Sequence, residues 1–355
     1  MSEAPSAASE SLPEPASPSV VQALYGAAVR PLSGPPEPVD PCPACGAETA
    51  APRFAVEGLT SPVCICTECG LARFVPMLDV ETVAAFYPAD YYGSPGAKFG
   101  DGFEWLVRWV GARHASFLSW GMPEGARVLD VGCGRGVVLG ALADRGFEVH
   151  GMEQSPAAAT GADPRAEVRI APDLASAGYP DAYFDQVLIW HVLEHLTDPR
   201  GTLEEIRRVL RPGGRLVVAV PNFESEQARW AGAEWFHLDL PRHLYQFPLK
   251  ALRGLLEDTG FEPIHDHHFS LRQNPFGWIQ SAQNRLASLP RNGLYTLLQR
   301  RSPGVPSPFR ATTRWQLRLL GALLAPWALW RSMRSAFRRS GATVHVVALR
   351  TLDRA

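Results

Sequence analysis

Apolar and polar positions along this chain fall into blocks that read as alternating strands and helices. The sharpest block is Val128-Leu129-Asp130-Val131, an apolar run carrying an acid, which breaks into Gly132-Cys133-Gly134-Arg135-Gly136. A second apolar run closes at Val149-His150-Gly151-Met152-Glu153. The pair predicts a buried parallel strand, a tight turn, a helix, and a second strand with a carboxylate at its carboxyl edge. Phe184–Trp190 predicts a fourth strand and His191–Leu196 the helix after it. A Pro212-Gly213-Gly214 break then separates a helix end from a fifth strand through Leu216-Val217-Val218. Ile264–Ser270 and Thr343–Leu349 complete the strand pattern. Between those last two, Leu319 to Trp330 is apolar or small throughout, with Pro326 interrupting it.

At 355 residues the chain accommodates one full α/β domain with an addition at each end. Hydrophobic content of 46% and charged content of 20% describe an ordinary globular protein. Met1 leads into Ser-Glu-Ala-Pro with neither a basic start nor an apolar core, so no signal peptide is expected and the location expected is cytoplasmic. Residues 1–38, rich in Pro, Ala, Ser and Glu, read as a disordered tail.

The turn chemistry narrows the ligand. Glycines at 132, 134 and 136 let the backbone pass close to a bulky group. The dinucleotide fingerprint requires glycine at 137, where Val137 stands. Glu153 is placed to accept hydrogen bonds from both hydroxyls of a ribose. The D-x-G-x-G-x-G string at 130–136 resembles that of class I S-adenosylmethionine (SAM) methyltransferases. Together with Phe184–Trp190, His191–Leu196, Arg208–Val218, Pro221-Asn222 and Pro241-Arg242-His243-Leu244-Tyr245, it resembles the bacterial methyltransferases grouped around the ubiquinone-biosynthesis O-methyltransferases. The likeness covers about residues 116–270 and a last strand near 343–350. It implies an α/β fold: a Rossmann-like seven-stranded methyltransferase sheet, last strand antiparallel, over 121–270 and 341–352. It implies SAM as cofactor, with Gly132, Gly134 and Gly136 admitting it and Asp130 orienting the turn and the amino-acid portion. Glu153 would hold the ribose and Asp173 the adenine amino group. Residues 76–120, with Phe86–Tyr92 and a helix at Glu104–Trp120, are expected to form a helical lid or linker.

Cysteine spacing adds a second feature. Cys42-x-x-Cys45-Gly46 and Cys66-x-x-Cys69-Gly70 are two knuckles within 39–75, the pattern of a structural zinc ribbon. Cys64 is a spare that could replace Cys66. Cys133, inside the glycine turn, belongs to neither pair.

Residues just past the fourth and fifth strands face the transferred methyl group. His191 and His195 stand at i and i+4, with Glu194 between them, and His243 lies in the Pro-Arg-His-Leu-Tyr turn. Three readings stay open: structural packing around the cofactor, a general base for a hydroxyl acceptor, or a divalent metal held by His191, Glu194, His195 and His243. The metal reading leans on a resemblance to the E-x-x-E-H helix of small-RNA methyltransferases, whose first acid is here His191. H-x-x-E-H is also the string of inverted zinc proteases, but its place after a methyltransferase-type fourth strand excludes that.

The near-neutral net charge of −2 averages two unlike parts. From His267 to Leu352 there is no acid, and the insert at 271–340 holds twelve arginines. Trp315, Trp327 and Trp330 mark its apolar stretch, which as a helix is too short to cross a bilayer. This basic apolar helical insert is expected to lie on an anionic membrane at its inner face, to cap the catalytic domain, or to grip RNA. The function expected is SAM-dependent methylation, at oxygen, of a small, sugar-like or lipid-linked acceptor. The alternatives are an RNA methyltransferase and a non-catalytic SAM-binding or zinc-ribbon interaction module.

Overall fold

A computed structural model describes residues 28–86, 101–299 and 307–352. In chain order the strands are β1 (Val29–Pro31), β2 (Glu37–Pro38), β3 (Thr49–Val56), β4 (Val63–Cys66), β5 (Ala72–Phe74), β6 (Arg127–Val131), β7 (Glu148–Glu153), β8 (Glu167–Ile170), β9 (Phe184–Trp190), β10 (Leu210–Pro221), β11 (Tyr245–Gln246), β12 (Phe261–His267) and β13 (Thr343–Arg350).

The core sheet runs β12-β13-β10-β9-β6-β7-β8. Strands β8, β7, β6, β9 and β10 are parallel, and β13 enters antiparallel between β10 and β12. The central strands read as unbroken apolar runs because helices cover both faces: Val128, Leu129, Val187 and Ile189 are all buried. On one face the helix Asp101–Ser119 packs beside Val137–Ala143, so closely that a Cβ on Gly111 would lie 2.8 Å from Val137. The opposite face holds Leu203, Ile206 and Val209 of Pro199–Val209, and Leu252, Leu255 and Leu256 of Leu249–Asp258. The expected break at Pro212-Gly213-Gly214 is a register shift inside one strand: β10 pairs Leu210 with Phe184 and resumes at Arg215 with Gln186.

Three expectations need correction. Val29–Pro31 and Glu37–Pro38 are strands β1 and β2 against β3, so this stretch is not part of a disordered tail; a proline-rich segment serves at an edge because an edge does not demand every N–H. Residues 1–27 lie outside the described residues. The segment after β9 is not a helix either: His191 and Val192 lead into a single 3-10 turn, Leu193–His195. Finally, Pro326 does not interrupt the insert helix, which runs unbroken from Ala311 to Phe337. The proline is on the exposed side, where water can take up the carbonyl it leaves unbonded. Of the expected lid, the helix is present as Asp101–Ser119, while residues 87–92 of the aromatic stretch lie outside the described residues.

The small sheet is not a separate ribbon. It runs β1-β3-β4-β5-β11, so Tyr245–Gln246 from the catalytic domain forms its last strand, with Tyr245 opposite Arg73 and Gln246 opposite Ala72. Arg200 Nε donates to the Pro43 carbonyl at 2.9 Å and Lys250 Nζ to the Glu68 carbonyl at 2.9 Å.

The insert is helical, with Gln273–Asn284, Gly293–Leu298 and Ala311–Phe337. Its first helix buries polar side chains, each with a role: Gln283 Nε2 donates to the Leu317 carbonyl at 2.9 Å, and Gln280 Oε1 accepts from the Tyr295 amide at 2.8 Å. Trp278 is fully buried, its ring 5.3 Å from those of Trp230 and Trp327, with Arg331 4.4 Å above it. Trp278→Ala should therefore cost about 3–5 kcal/mol in urea unfolding, and Trp278→Phe markedly less. Equal stability of the alanine variant and wild type would contradict this packing.

Candidate functional site

The carboxyl edge of the core sheet carries two adjoining groups of residues. In the first, β6 ends on the glycine turn. Gly132 has φ +74°, and a Cβ there would lie 2.5 Å from Val192; Gly134 has φ +51° with nothing within 4 Å of the Cβ position. One glycine is required by packing and the other opens onto free space. Gly136, φ +61°, caps the helix Val137–Ala143. Glu153, at the end of β7, is gripped by three backbone amides: Gly134 at 2.9 Å, Gln154 at 2.9 Å and Ser155 at 3.1 Å. Asp130 is buried beside it. Burial, then the charge of Glu153, pushes the Asp130 carboxyl up to about 7. Asp173 lies exposed just past β8, its Oδ1 accepting from the Ser176 amide at 2.7 Å.

The second group gathers after β9. His191 holds the left-handed backbone conformation at φ +56°, and Asp239 does so at φ +37°. Strained non-glycine residues of this kind concentrate at functional sites. His191 Nδ1 lies 3.2 Å from Glu194 Oε1, while His191 Nε2 and Glu194 Oε2 are buried with no protein partner among the described residues. Burial, then the positive charge of Arg272, lowers His191 to about 3. Burial raises the Glu194 carboxyl to about 7.

His195 Nδ1 donates to the Arg242 carbonyl at 3.0 Å and His243 Nδ1 to the His237 carbonyl at 2.9 Å. Both bonds fix the tautomer in which Nε2 carries the lone pair. The two rings meet edge to face at 4.6 Å, and burial lowers both imidazoles. Ligand atoms of Glu194, His195 and His243 lie within 4.8 Å of one another. Four residues were expected to gather here; three do so as possible metal ligands. His191 stands aside because the chain turns at 191–195 and shares no helix face. The residues that orient the imidazoles, His237 and Arg242, act through backbone carbonyls, for which composition offers no signal. Only the crowded string His237-Leu-Asp239-Leu-Pro-Arg242-His243 hinted at them.

The cysteines converge as spaced. Cys42 Sγ and Cys69 Sγ are 3.6 Å apart, as are Cys45 Sγ and Cys66 Sγ, and all four lie within 4.8 Å. A tetrahedral Zn–S bond of about 2.3 Å puts sulfurs about 3.8 Å apart, so the tetrad fits zinc. The hydrogen bond from Cys69 holds the Cys42 thiol low, at about 5. Cys64 lies outside the tetrad, its thiol raised by burial.

Comparison with known proteins agrees with this geometry. A methyltransferase-domain family model matches residues 110–266. Over 198 residues the chain is 30% identical to a ubiquinone biosynthesis O-methyltransferase of Cereibacter sphaeroides, covering 51% of this chain and 78% of that protein. The enzyme of the same description from Alkalilimnicola ehrlichii is 35% identical over 130 residues, 34% of this chain and 52% of that one. The crystal structure of a SAM-dependent methyltransferase from Archaeoglobus fulgidus aligns with a TM-score of 0.44 at 19% identity, covering 68% of this chain and 94% of that one. With the parallel sheet, the glycine turn and these relatives in hand, the chain belongs to the class I SAM-dependent methyltransferases, in the family that includes the ubiquinone-biosynthesis O-methyltransferases.

Proposed function

We propose that this chain transfers the methyl group of SAM to an oxygen of a small, sugar-like or lipid-linked acceptor. The observation that carries this reading is the carboxylate of Glu153, aimed by three amides at the open side of Gly134 and sharing one sheet edge with the Glu194–His195–His243 cluster. Glu153 accepts the ribose hydroxyls, Gly132, Gly134 and Gly136 admit the cofactor, and Asp173 marks the adenine side. Asp130 meets the cofactor's ammonium group, whose positive charge offsets the cost of an ionised carboxylate beside Glu153. The ubiquinone biosynthesis O-methyltransferases among the relatives favour oxygen as the acceptor atom.

Glu194, His195 and His243 would hold a divalent cation. Both imidazoles are oriented from behind by carbonyls, as metal-ligating histidines are. Such a cation polarises an acceptor oxygen. His191 orients Glu194 from the other side and stays neutral. The cysteine tetrad would hold zinc in a closed, structural site, and through β11 it steadies the turn that carries His243.

The insert helix supports a peripheral membrane contact. One side is buried at Leu317, Gly321, Ala328, Ser332 and Ser335. The other exposes Trp315, Leu319, Leu323, Trp330, Met333 and Phe337, with Arg318 and Arg338 also exposed. Trp327, expected among the membrane-facing residues, instead packs inward on Trp230 and Trp278. Among the described residues no helix is long and apolar enough to cross a membrane. An apolar stripe flanked by arginine suits the surface of an anionic bilayer.

The cofactor reading is tested by calorimetric titration with S-adenosylhomocysteine. Ionised Asp130 is the form that binds the ligand's ammonium, so affinity should rise about tenfold between about pH 6 and pH 8. Asp130→Asn should flatten that rise, and Glu153→Ala should weaken binding on the order of a hundredfold. PH-independent affinity in wild type contradicts the assignment of Asp130.

Elemental analysis should find about one zinc per chain, lost in Cys66→Ser and kept in Cys64→Ser. Zinc-loaded protein should also take up Mn²⁺, and His243→Ala should abolish that uptake without releasing zinc. Failure of wild type to bind Mn²⁺ would leave the neutral imidazoles as proton acceptors only.

Sedimentation with anionic vesicles should fall at high salt, each near-surface arginine contributing about 1 kcal/mol. Replacing Trp315 and Trp330 with serine should weaken it even at low salt. Retention on RNA with indifference to vesicles would favour the nucleic-acid reading instead.

A further inference from the structure

A cavity of about 660 Å³ lies where the cysteine-bearing sheet, the catalytic core and the insert meet. Part of its lining is apolar. Ile65 of β4 contributes, as does Phe223, just past β10, and Leu249, which opens the helix Leu249–Asp258. Gly70, which follows the Cys66–Cys69 knuckle, lines it too. The rest is basic: Arg338, Arg339 and Ser340 at the end of the insert, with Arg229 of the helix Glu226–Ala231. None of the lining residues is among those assigned to SAM or to the Glu194–His195–His243 cluster. The cavity is a site of its own.

The fold fixes the basic part of the lining. Past the long helix, Arg339 holds the left-handed conformation at φ +52°. Gly341 has no room for a side chain, because a Cβ there would overlap the His268 carbonyl. The Asn222 amide donates to the Ala342 carbonyl at 2.8 Å, and the Glu226 amide to the Ser340 carbonyl at 3.0 Å. Arg338, Arg339 and Ser340 are thereby held against the exits of β10 and β12. Arg229 donates to the Ser340 hydroxyl at 3.1 Å and to the Glu224 carbonyl. Both acceptors are neutral, so neither cancels its charge. Arg339 meets Asp266 at 2.5 Å, but that buried carboxylate is shared with Arg253 and with His268 Nε2 at 2.9 Å. Among the described residues that line the cavity, Glu224 is the one carboxylate, against three guanidinium groups. His268, also in the lining, keeps its Nδ1 buried with no protein partner among the described residues.

Three guanidinium groups converging on one cavity repel one another, and a single lining carboxylate does not balance them. A phosphate group answers that field: it accepts several charge-assisted hydrogen bonds at once, in a geometry that guanidinium matches. Ile65, Phe223 and Leu249 suit an apolar body attached to it. We propose that this cavity is a second binding site, for a phosphate group carried on an apolar body. Two sources present that chemistry, the headgroup of an anionic lipid and a soluble phosphate ester. Phe337, 96% exposed, ends the apolar stripe of the insert helix directly before Arg338, which suits the lipid. The assignment does not depend on the methyl-transfer reading. It also goes beyond a general membrane contact, which any anionic surface satisfies.

The test titrates the full-length protein by calorimetry with phenyl phosphate, benzoate and benzyl alcohol. Phenyl phosphate should bind about tenfold more tightly than either of the others. Arg338→Gln and Arg229→Gln should each weaken it about tenfold. Arg310→Gln removes the same charge at the other end of the same helix, about 40 Å away along its axis, and should leave the affinity within about twofold of wild type. A second arm measures flotation with phosphatidylcholine vesicles that carry either phosphatidate or, at matched surface charge, oleate. A preference for phosphatidate that Arg338→Gln removes supports the site and identifies a lipid headgroup. Binding of phenyl phosphate without a preference between the vesicles supports it and identifies a soluble ester. No phenyl phosphate binding together with no vesicle preference overturns the proposal. So does benzoate binding as tightly as phenyl phosphate, affinity untouched by both cavity variants, or an equal loss in Arg310→Gln.

Discussion

Parallel pairing among β7, β6, β9 and β10 brings four strand ends to one edge, and the candidate site hangs from that edge. A parallel pair requires a crossover through a helix, so each strand must exit into a loop at the same side. The glycine turn leaves β6, Glu153 ends β7, the 191–195 turn leaves β9, and Asn222 follows β10. Antiparallel β13 locks the arrangement: Ala219 of β10 pairs with Trp190 on one side and His345 on the other. The rings of Trp190 and His345 stack at 4.5 Å, and His114 lies 4.7 Å from Trp190. The floor of the site is therefore rigid where the chemistry demands fixed distances.

Electrostatics at this edge runs against stability. Asp130 and Glu194 both sit where burial raises carboxyls to about 7, His191 stays unprotonated, and His191 Nε2 and Glu194 Oε2 have no protein partner among the described residues. Buried amides close by are bonded: Gln246 Nε2 donates to the Leu238 carbonyl at 2.9 Å, and Asn222 Nδ2 to the Gly341 carbonyl at 3.1 Å. The strained backbone of His191, its unpartnered Nε2 and the buried carboxyl of Glu194 beside it mark a region shaped for ligands.

The two additions to the core are tied to it differently. The cysteine-bearing sheet shares backbone hydrogen bonds with the domain through β11, so its position and that of His243 are set together. The insert relies on side chains: the Trp230–Trp278–Trp327 cluster, buried amides of the helix Gln273–Asn284, and arginines drawn to Glu226, Glu234 and Asp266. Those acids lie outside the insert, which is why a segment without one negative charge still docks on the domain.

Local pattern alone determined the strands β6, β7, β9 and β13, the glycine turn and its ligand class, the four converging cysteines and the helical character of the insert. Each of these follows from near neighbours: apolar runs, turn glycines, x-x spacings. The edge strands β1 and β2 escaped because their proline-rich composition matches a disordered tail, and only a partner strand makes them a sheet. The tertiary structure decided that 191–195 is a turn and not a helix, since His191 is bonded to Ala219 and Leu244 to Glu194 across the chain. It decided that Trp327 faces inward while Trp330 faces out, because Trp230 and Trp278 come from distant segments. And it decided which arginines of the insert find a counter-charge: Glu226, Glu234 and Asp266 arrive from outside the insert, and no spacing along the sequence carries that information.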